Sequence, residues 1–188
     1  VSIIPQTVVS GSKKVEFKYD HKGRRVRKIV SSYDGSNWSE DSDQLFLYDN
    51  WNVICVLDAN DSNAVEQKYT WGLDLSGQNG SFNAGGLHGA GGVGGLLAVD
   101  DNSDKYFYLY DANGNVSQLV ENTTNYPLAA HYEYDPYGNI ITSNGWYANG
   151  NPFRFSTKWL DDELTTTHQT GAIGEEGFYY YGRRYYIP

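Results

Sequence analysis

Short runs in which apolar and polar residues alternate recur along the chain. In Val15-Glu16-Phe17-Lys18-Tyr19 and Ala130-His131-Tyr132-Glu133-Tyr134, alternate members share one face and the charged or polar ones take the other. A period of two predicts half-buried antiparallel strands. Lys105-Tyr106-Phe107-Tyr108-Leu109-Tyr110 has two apolar faces, with Tyr106, Tyr108 and Tyr110 on one and Phe107 and Leu109 on the other. That pattern predicts a strand that is sandwiched or forms a wall. Leu96 to Val99 and the run VICVL around Cys55 read as further strands.

Several strands end in Tyr-Asp followed by a turn signal. The units are YDHKGR (Tyr19, Asp20, Gly23), YDANGN (Tyr110, Asp111, Gly114, Asn115) and YDPYGN (Tyr134, Asp135, Pro136, Gly138, Asn139). Asp suits position i of a type I turn, and Gly at i+3 closes a three-residue hairpin loop with a bulge, where φ is positive. Pro136 falls at i+1, where its fixed φ fits, so Asp135-Pro136 is a turn rather than a reactive bond. A shorter copy, YDNWN (Tyr48, Asp49, Asn52), puts Asn52 at the closing position, Asn being tolerant of left-handed geometry. With Tyr69, which precedes Thr70 instead of Asp, the tyrosines recur every 20 to 40 residues or so, a loose repeat with insertions. The insertions are the glycine-rich stretch Ser76 to Gly95, Ser143 to Asn151, and a polar loop at 164–177.

Composition strengthens this all-β picture: 15% of residues are aromatic, 17 of them Tyr, alongside 21 Gly and no Met. A net charge of -9 with pI near 4.8 argues against nucleic acid, anionic membrane or heparin-like partners. The basic stretch Lys13 to Lys28 is expected to be the solvent face of a hairpin. Cys55 is the single cysteine, so an intramolecular disulfide is excluded and a buried thiol is expected. No apolar run approaches the length of a membrane-spanning helix, and the start, Val1, lacks the pattern of a signal peptide. A chain beginning without Met is expected to be a segment of a longer or processed protein.

Five segments together resemble the Rhs, or YD-repeat, family: the YDxxGN units, WGLDLSG (Trp71 to Gly77), GAGGVGGLLA (Gly89 to Ala98, with Gly91, Gly92, Gly94 and Gly95), NPFRFSTKWLDDE (Asn151 to Glu163, with Pro152, Phe153, Arg154 and Phe155) and GFYYYGRRYYIP (Gly177 to Pro188, with Tyr180, Tyr181, Gly182, Arg184, Tyr185 and Tyr186). The last four resemble its repeat-associated core region. The resemblance implies an antiparallel YD-repeat sheet, curved or spiralling as a segment of a β-shell. Such shells occur in bacterial polymorphic toxins, insecticidal toxin complexes and teneurins, and many enclose a toxic C-terminal domain. It implies two regions, a sheet over 1–142 that includes the glycine-rich segment 76–98, and a core segment over 143–188 with the loop 164–177. Partners implied are adjacent repeats of the same or a longer chain and a C-terminal effector cargo, with a secreted or cell-surface location. The sequence departs from the family pattern where Leu164 to Glu176 separates Glu163 from Gly177, and it stops at Pro188. The one Asp-Pro-x-Gly, Asp135 to Gly138, lies inside a repeat, so the family's self-cleaving aspartate role does not transfer to it.

Candidate chemistry is sparse, and no catalytic residue, metal site or cofactor is assigned. GAGGVGG lacks the Lys-Ser/Thr of a phosphate-binding loop. The acidic clusters Asp161-Asp162-Glu163 and Asp100-Asp101-Asp104 lack calcium-loop spacing and read as solvated turns. His21, His88, His131 and His168 are scattered without zinc-ligand spacing. Trp38, Trp51, Trp146 and Tyr147 lie in or beside turns, where they either cap the sheet ends or bind a glycan or surface protein. Tyr179, Tyr180, Tyr181, Tyr185 and Tyr186 are expected in closing strands, with Arg154, Arg183 and Arg184 stacking on rings or pairing with Asp161 or Asp162. The expectation is a non-enzymatic structural module; the alternatives are an adhesive glycan- or protein-binding module, self-associating because 188 residues leave open sheet edges, and, ranked below it on the family resemblance, an autoproteolytic aspartyl protease.

Overall fold

The computed structural model describes residues 1–5, 7–79, 91–164 and 177–188. Expectations placed on 80–90 and 165–176, including His88 and His168, lie outside the described residues. Eleven strands form one antiparallel sheet in which every strand pairs with its neighbours in sequence: β1 (Ser2–Ile3), β2 (Lys13–Tyr19), β3 (Arg25–Tyr33), β4 (Trp38–Asp49), β5 (Asn52–Asp58), β6 (Ala64–Trp71), β7 (Leu96–Asp100), β8 (Lys105–Tyr110), β9 (Val116–Glu121), β10 (Leu128–Tyr134) and β11 (Ile140–Asn144). A second sheet holds β12 (Trp159–Asp161), β13 (Phe178–Tyr180) and β14 (Tyr185–Tyr186). The architecture is all-β and open, with β1 and β11 as the edges of the large sheet.

Inward positions follow the period-two pattern. Val15 and Phe17 on β2, Val99 on β7, Tyr106 and Tyr108 on β8, and Tyr132 on β10 are all buried, each contributing roughly 1.5–3 kcal/mol of apolar burial. Phe107 and Leu109, the second apolar face of β8, are about two-fifths exposed, so that face is open to water in this chain. Cys55 is half-buried rather than fully buried: Ile54 is skipped in the pairing with β4, where Leu47 faces Cys55 and Tyr48 faces Val53, so Val53 and Val56 point inward and Cys55 does not. Burial still pushes its thiol pKa up.

A register shift falls immediately before the Tyr of every Tyr-Asp unit: at Lys18/Tyr19, Leu47/Tyr48, Leu109/Tyr110 and Glu133/Tyr134. In the three full-length units the Tyr pairs with the residue six positions on, Tyr19 with Arg25, Tyr110 with Val116 and Tyr134 with Ile140. Each Asp then closes the loop with both backbone and side chain. Asp111 N donates to Asn115 O at 3.0 Å and Gly114 N to Asp111 O at 3.1 Å. The Asp111 carboxylate accepts from Asn113 N, Asn115 N and Asn115 Nδ2. Asp135 repeats this with Tyr137 N, Asn139 N and Asn139 Nδ2, and Asp20 with Lys22 N, Arg24 N and Arg24 Nε. Gly23, Gly114 and Gly138 carry φ of 82°, 76° and 96°.

The fourth unit differs. Tyr48 pairs with Val53, five positions on, so only Asn50 and Trp51 are left to turn the chain. Positive φ therefore falls on Asn50, at 52°, and Asn52 is a buried member of β5 whose amide donates to Asn79 O at 3.1 Å. Asn52 pairs with Asp49 and so closes the turn, but without the left-handed φ expected of it, which moves to Asn50 because the loop has two residues and not three.

Candidate functional site

All four turns follow even-numbered strands of a meander, so they line one rim of the sheet, joined there by the glycine segment between β6 and β7. The tyrosines stitch this rim together. Tyr48 Oη donates to Arg25 O at 2.7 Å, Tyr134 Oη to Val116 O at 2.8 Å, and Tyr110 Oη to Leu96 O. Each accepting carbonyl belongs to the first residue of a strand that leaves the preceding rim element.

The described C-terminal residues, 145–164 and 177–188, lie against the rim and the inner face. At the first turn, Arg25 N donates to Tyr180 Oη at 2.8 Å. At the second, Gly182 sits against Trp51, where an added Cβ would come 3.0 Å from the ring. At the third, Thr157 Oγ1 donates to Gly114 O at 2.8 Å and Ser156 N to Asn115 Oδ1 at 2.8 Å. At the fourth, Tyr179 Oη donates to Gly138 O at 3.3 Å and Tyr186 Oη to Tyr137 O at 2.6 Å. The glycine segment joins in: Gly94 N donates to Thr157 Oγ1 at 2.8 Å, Gly92 N to Asp74 Oδ2 at 3.0 Å, and Lys158 Nζ to Gly91 O at 2.7 Å. Gly95 N turns back to Gly92 O at 3.0 Å. Ser156 and Thr157 both carry φ of 51°, a left-handed conformation that costs a β-branched Thr energy and that these surrounding bonds hold in place.

Rings fill the space between segment and sheet. Phe153 meets Tyr69, Trp71 and Trp159 edge-on at 5.0, 5.6 and 5.4 Å, and Phe155 lies 5.8 Å from Tyr134 and 6.0 Å from Tyr179. Tyr180 and Tyr185 pack at 5.5 Å, and Tyr181 and Tyr186 at 6.0 Å. Pro152 O accepts from Leu160 N, and Arg184 O from Tyr181 N. Buried Arg154 donates to Ala148 O at 3.1 Å and Asn151 O at 3.3 Å and lies over Tyr132 at 5.2 Å. Asn151 takes the Tyr108 hydroxyl at 2.8 Å.

At the centre is a buried ion cluster that overturns two expectations. Asp161 is wholly buried, not a solvated turn residue, and Arg25 and Lys28 are 1% and 3% exposed rather than on a solvent face. Arg25 Nη1 donates to Asp161 Oδ2 at 2.5 Å, and Lys28 Nζ lies 2.8 Å from Asp161 Oδ1 and 2.7 Å from Glu163 Oε2. The Arg25 guanidinium is enclosed by Tyr180, Phe46, Phe17 and Trp159 at 4.6, 4.7, 5.3 and 5.5 Å. Arg25 and Lys28, not Arg154, Arg183 or Arg184, therefore answer Asp161, since Arg154 is spent on carbonyls and Arg183 stacks on Trp51 at 5.4 Å. Lys28 was signalled by the sequence, because period two puts it on the face of buried Val30. Arg25 and Asp161 gave no such signal, as their burial follows from a contact across 136 residues.

Of the turn aromatics, Trp146 is 62% exposed, while Tyr147 is buried and stacks on Tyr106 at 3.8 Å. Trp38 is half-buried against Tyr33 at 5.2 Å. Among the described residues no group of His, Cys, Asp and Glu forms a metal cluster, and no helix is long and apolar enough to cross a membrane.

The chain is thus an open all-β antiparallel meander, stitched along one rim by its tyrosines and packed there against its own C-terminal residues. No protein-family profile matches the chain. It is 31% identical over 173 residues to the tRNA3(Ser)-specific nuclease WapA of Bacillus spizizenii, and 30% identical over 173 residues to the tRNA nuclease WapA of Bacillus subtilis. Each match takes in 92% of this chain and 6% of the relative, so the chain spans a small fraction of the curated relatives' length. Among solved structures it is similar to the TcdB2-TccC3-TEV crystal structure, with a TM-score of 0.59, 18% identity, and coverage of 99% of this chain and 8% of that one. The Tc holotoxin pore of Photorhabdus luminescens matches with a TM-score of 0.54 and 18% identity over 98% of this chain and 8% of that one. These likenesses support the Rhs, or YD-repeat, family in the broad sense and an Rhs-type, toxin-related module.

Proposed function

We propose that the chain is a non-enzymatic wall module of an Rhs-type shell or surface scaffold, and that 143–188 is the C-terminal segment of its repeat-associated core, which seals the rim of the sheet. The observation that carries this is the contact of one C-terminal segment with all four Tyr-Asp turns and the glycine segment. In a longer parent protein such a capped wall encloses or presents a C-terminal effector, and the secreted or cell-surface location follows from that role. The nuclease named for the relatives then belongs to parts of those proteins outside the stretch matched here. Neighbouring repeats pair with the open edges β1 and β11.

The test is to incubate the purified chain with total tRNA and to follow its mass by light scattering. Intact tRNA is the expected result. Cleavage that survives repurification but disappears in a point variant of this chain would overturn the wall reading. Trp146, 62% exposed just past β11 at the end of the sheet away from the Tyr-Asp rim, favours a second reading as an adhesive surface for glycans or a protein partner; a glycan array with Trp146→Ala as control separates the two.

A further inference from the structure

The chain has four Asn-Gly steps, beginning at Asn79, Asn113, Asn144 and Asn149. Asn is chemically labile because its carboxamide can be attacked by the nitrogen of the next residue, and a following Gly, with no Cβ, lets that nitrogen approach. The attack needs an exposed Asn and a Gly N–H that is free of other bonds. At two steps the N–H is committed: Gly114 N donates to Asp111 O and Gly150 N to Tyr147 O, both at 3.1 Å. The step at Asn79 leads into Gly80, outside the described residues.

Asn144-Gly145 differs in each respect. Both residues are exposed, and neither the Asn144 carboxamide nor Gly145 N has a hydrogen-bond partner among the described residues. Gly145 is also fixed by packing, since its φ is 110° and an added Cβ would fall 2.2 Å from Ala129 O. The step lies where the edge strand β11 hands over to the C-terminal residues, which are anchored next by Tyr147 N donating to Ala129 O at 3.0 Å. Across the ladder Asn144 pairs with His131, so their side chains share a face. His131 Nδ1 is enclosed and without a hydrogen-bond partner, and can donate to a carboxylate formed at 144.

We propose that Asn144-Gly145 is a self-modifying step, at which water converts the asparagine to aspartate and isoaspartate. Gly145 N passes its proton to solvent base and attacks Asn144 Cγ; a C–N bond forms, the ring closes as a succinimide, and the side-chain nitrogen leaves as ammonia. Water then opens the ring. Addition at Cγ leaves aspartate, and addition at the main-chain carbonyl carbon leaves isoaspartate, whose backbone runs through Cβ and Cγ. One water is consumed for each ammonia released, with no change of oxidation state. Isoaspartate lengthens the chain by one carbon beside the Tyr147 anchor, so the junction of the sheet with its C-terminal residues loosens as the molecule ages.

The experiment is prolonged incubation of the full chain in mildly alkaline, heavy-oxygen water, followed by peptide mapping with electron-transfer fragmentation, which separates aspartate from isoaspartate. In the folded chain Asn144 should convert at least about fivefold faster than Asn113 and Asn149, the factor that one hydrogen bond on the Gly nitrogen supplies. In urea the three steps should converge, because the fold makes the difference between them. Both products at 144 should carry the solvent's oxygen label, and amide exchange at Tyr147 should be faster in aged than in fresh protein. Asn113 or Asn149 converting as fast as Asn144 in the folded chain overturns the proposal, as does an Asn144 that stays intact when folded yet converts in urea. So does a ranking that persists in urea, unlabelled product, or Tyr147 exchange unchanged after conversion to isoaspartate.

Discussion

Replacing Asp161 with alanine would leave Arg25 buried among four rings with no anion, and Lys28 with Glu163 as its one remaining partner. Both cations are at most 3% exposed, so water cannot take the place of the lost carboxylate. Removing one partner of a buried pair costs about 3–5 kcal/mol. In a chain of 188 residues each kcal/mol lowers Tm by about 2–4 °C, so the variant should melt roughly 6–20 °C lower. Glu163 moderates the loss at Lys28, and Arg25 sets it. Thermal and urea unfolding followed by circular dichroism measure the effect. The double variant Arg25→Met, Asp161→Leu removes both charges and should recover most of the loss, because a buried ion pair seldom outperforms apolar packing of similar volume. A loss below about 1 kcal/mol for Asp161→Ala would refute the reasoning, since that is the scale of exposed pairs.

Other outcomes follow from the same geometry. Gly23 and Gly138 occupy equivalent turn positions with positive φ, but a Cβ at Gly23 meets open space, while one at Gly138 falls 2.7 to 2.9 Å from the Phe155 ring. Alanine at Gly23 should therefore cost about 1–2 kcal/mol of left-handed strain and alanine at Gly138 clearly more, as urea midpoints would show; equal losses would sink the rim contact. Tyr134→Phe removes the bond to Val116 O and should cost about 1 kcal/mol, with little change in the denaturant slope. Burial pushes the Lys158 amine down to about 8, a trend only partly offset by Asp74. Between pH 8 and its unfolded value of 10.5 the unfolded chain holds the extra proton. Stability relative to Lys158→Met should therefore rise with pH over that window, and a flat difference by pH-dependent unfolding would contradict it.

Much of the sheet was legible in the residues because its causes are local. Alternation places Val15, Phe17, Tyr106, Tyr108 and Tyr132 inward through strand geometry alone, and Asp followed three positions later by Gly carries its turn in its own side chain and its own φ. Where local spacing changed, as in YDNWN, the loop changed with it, and counting residues between Tyr48 and Val53 would have revealed the two-residue turn. Apart from Lys28, which period two already sets on the face of Val30, what tertiary structure alone decided is which charges go inside. Lys13 to Lys28 and the run Asp161 to Glu163 look like solvated faces because a charge is buried only when its counter-charge comes from elsewhere, and here Arg25 and Asp161 meet across 136 residues. The left-handed Ser156 and Thr157 have the same origin, since the bonds that hold them come from a distant turn and a glycine segment. Period and turn chemistry determined the meander; the long-range closure of its rim decided the capped core, because the free energy of burying a charge or a strained residue depends on partners that only folding brings within reach.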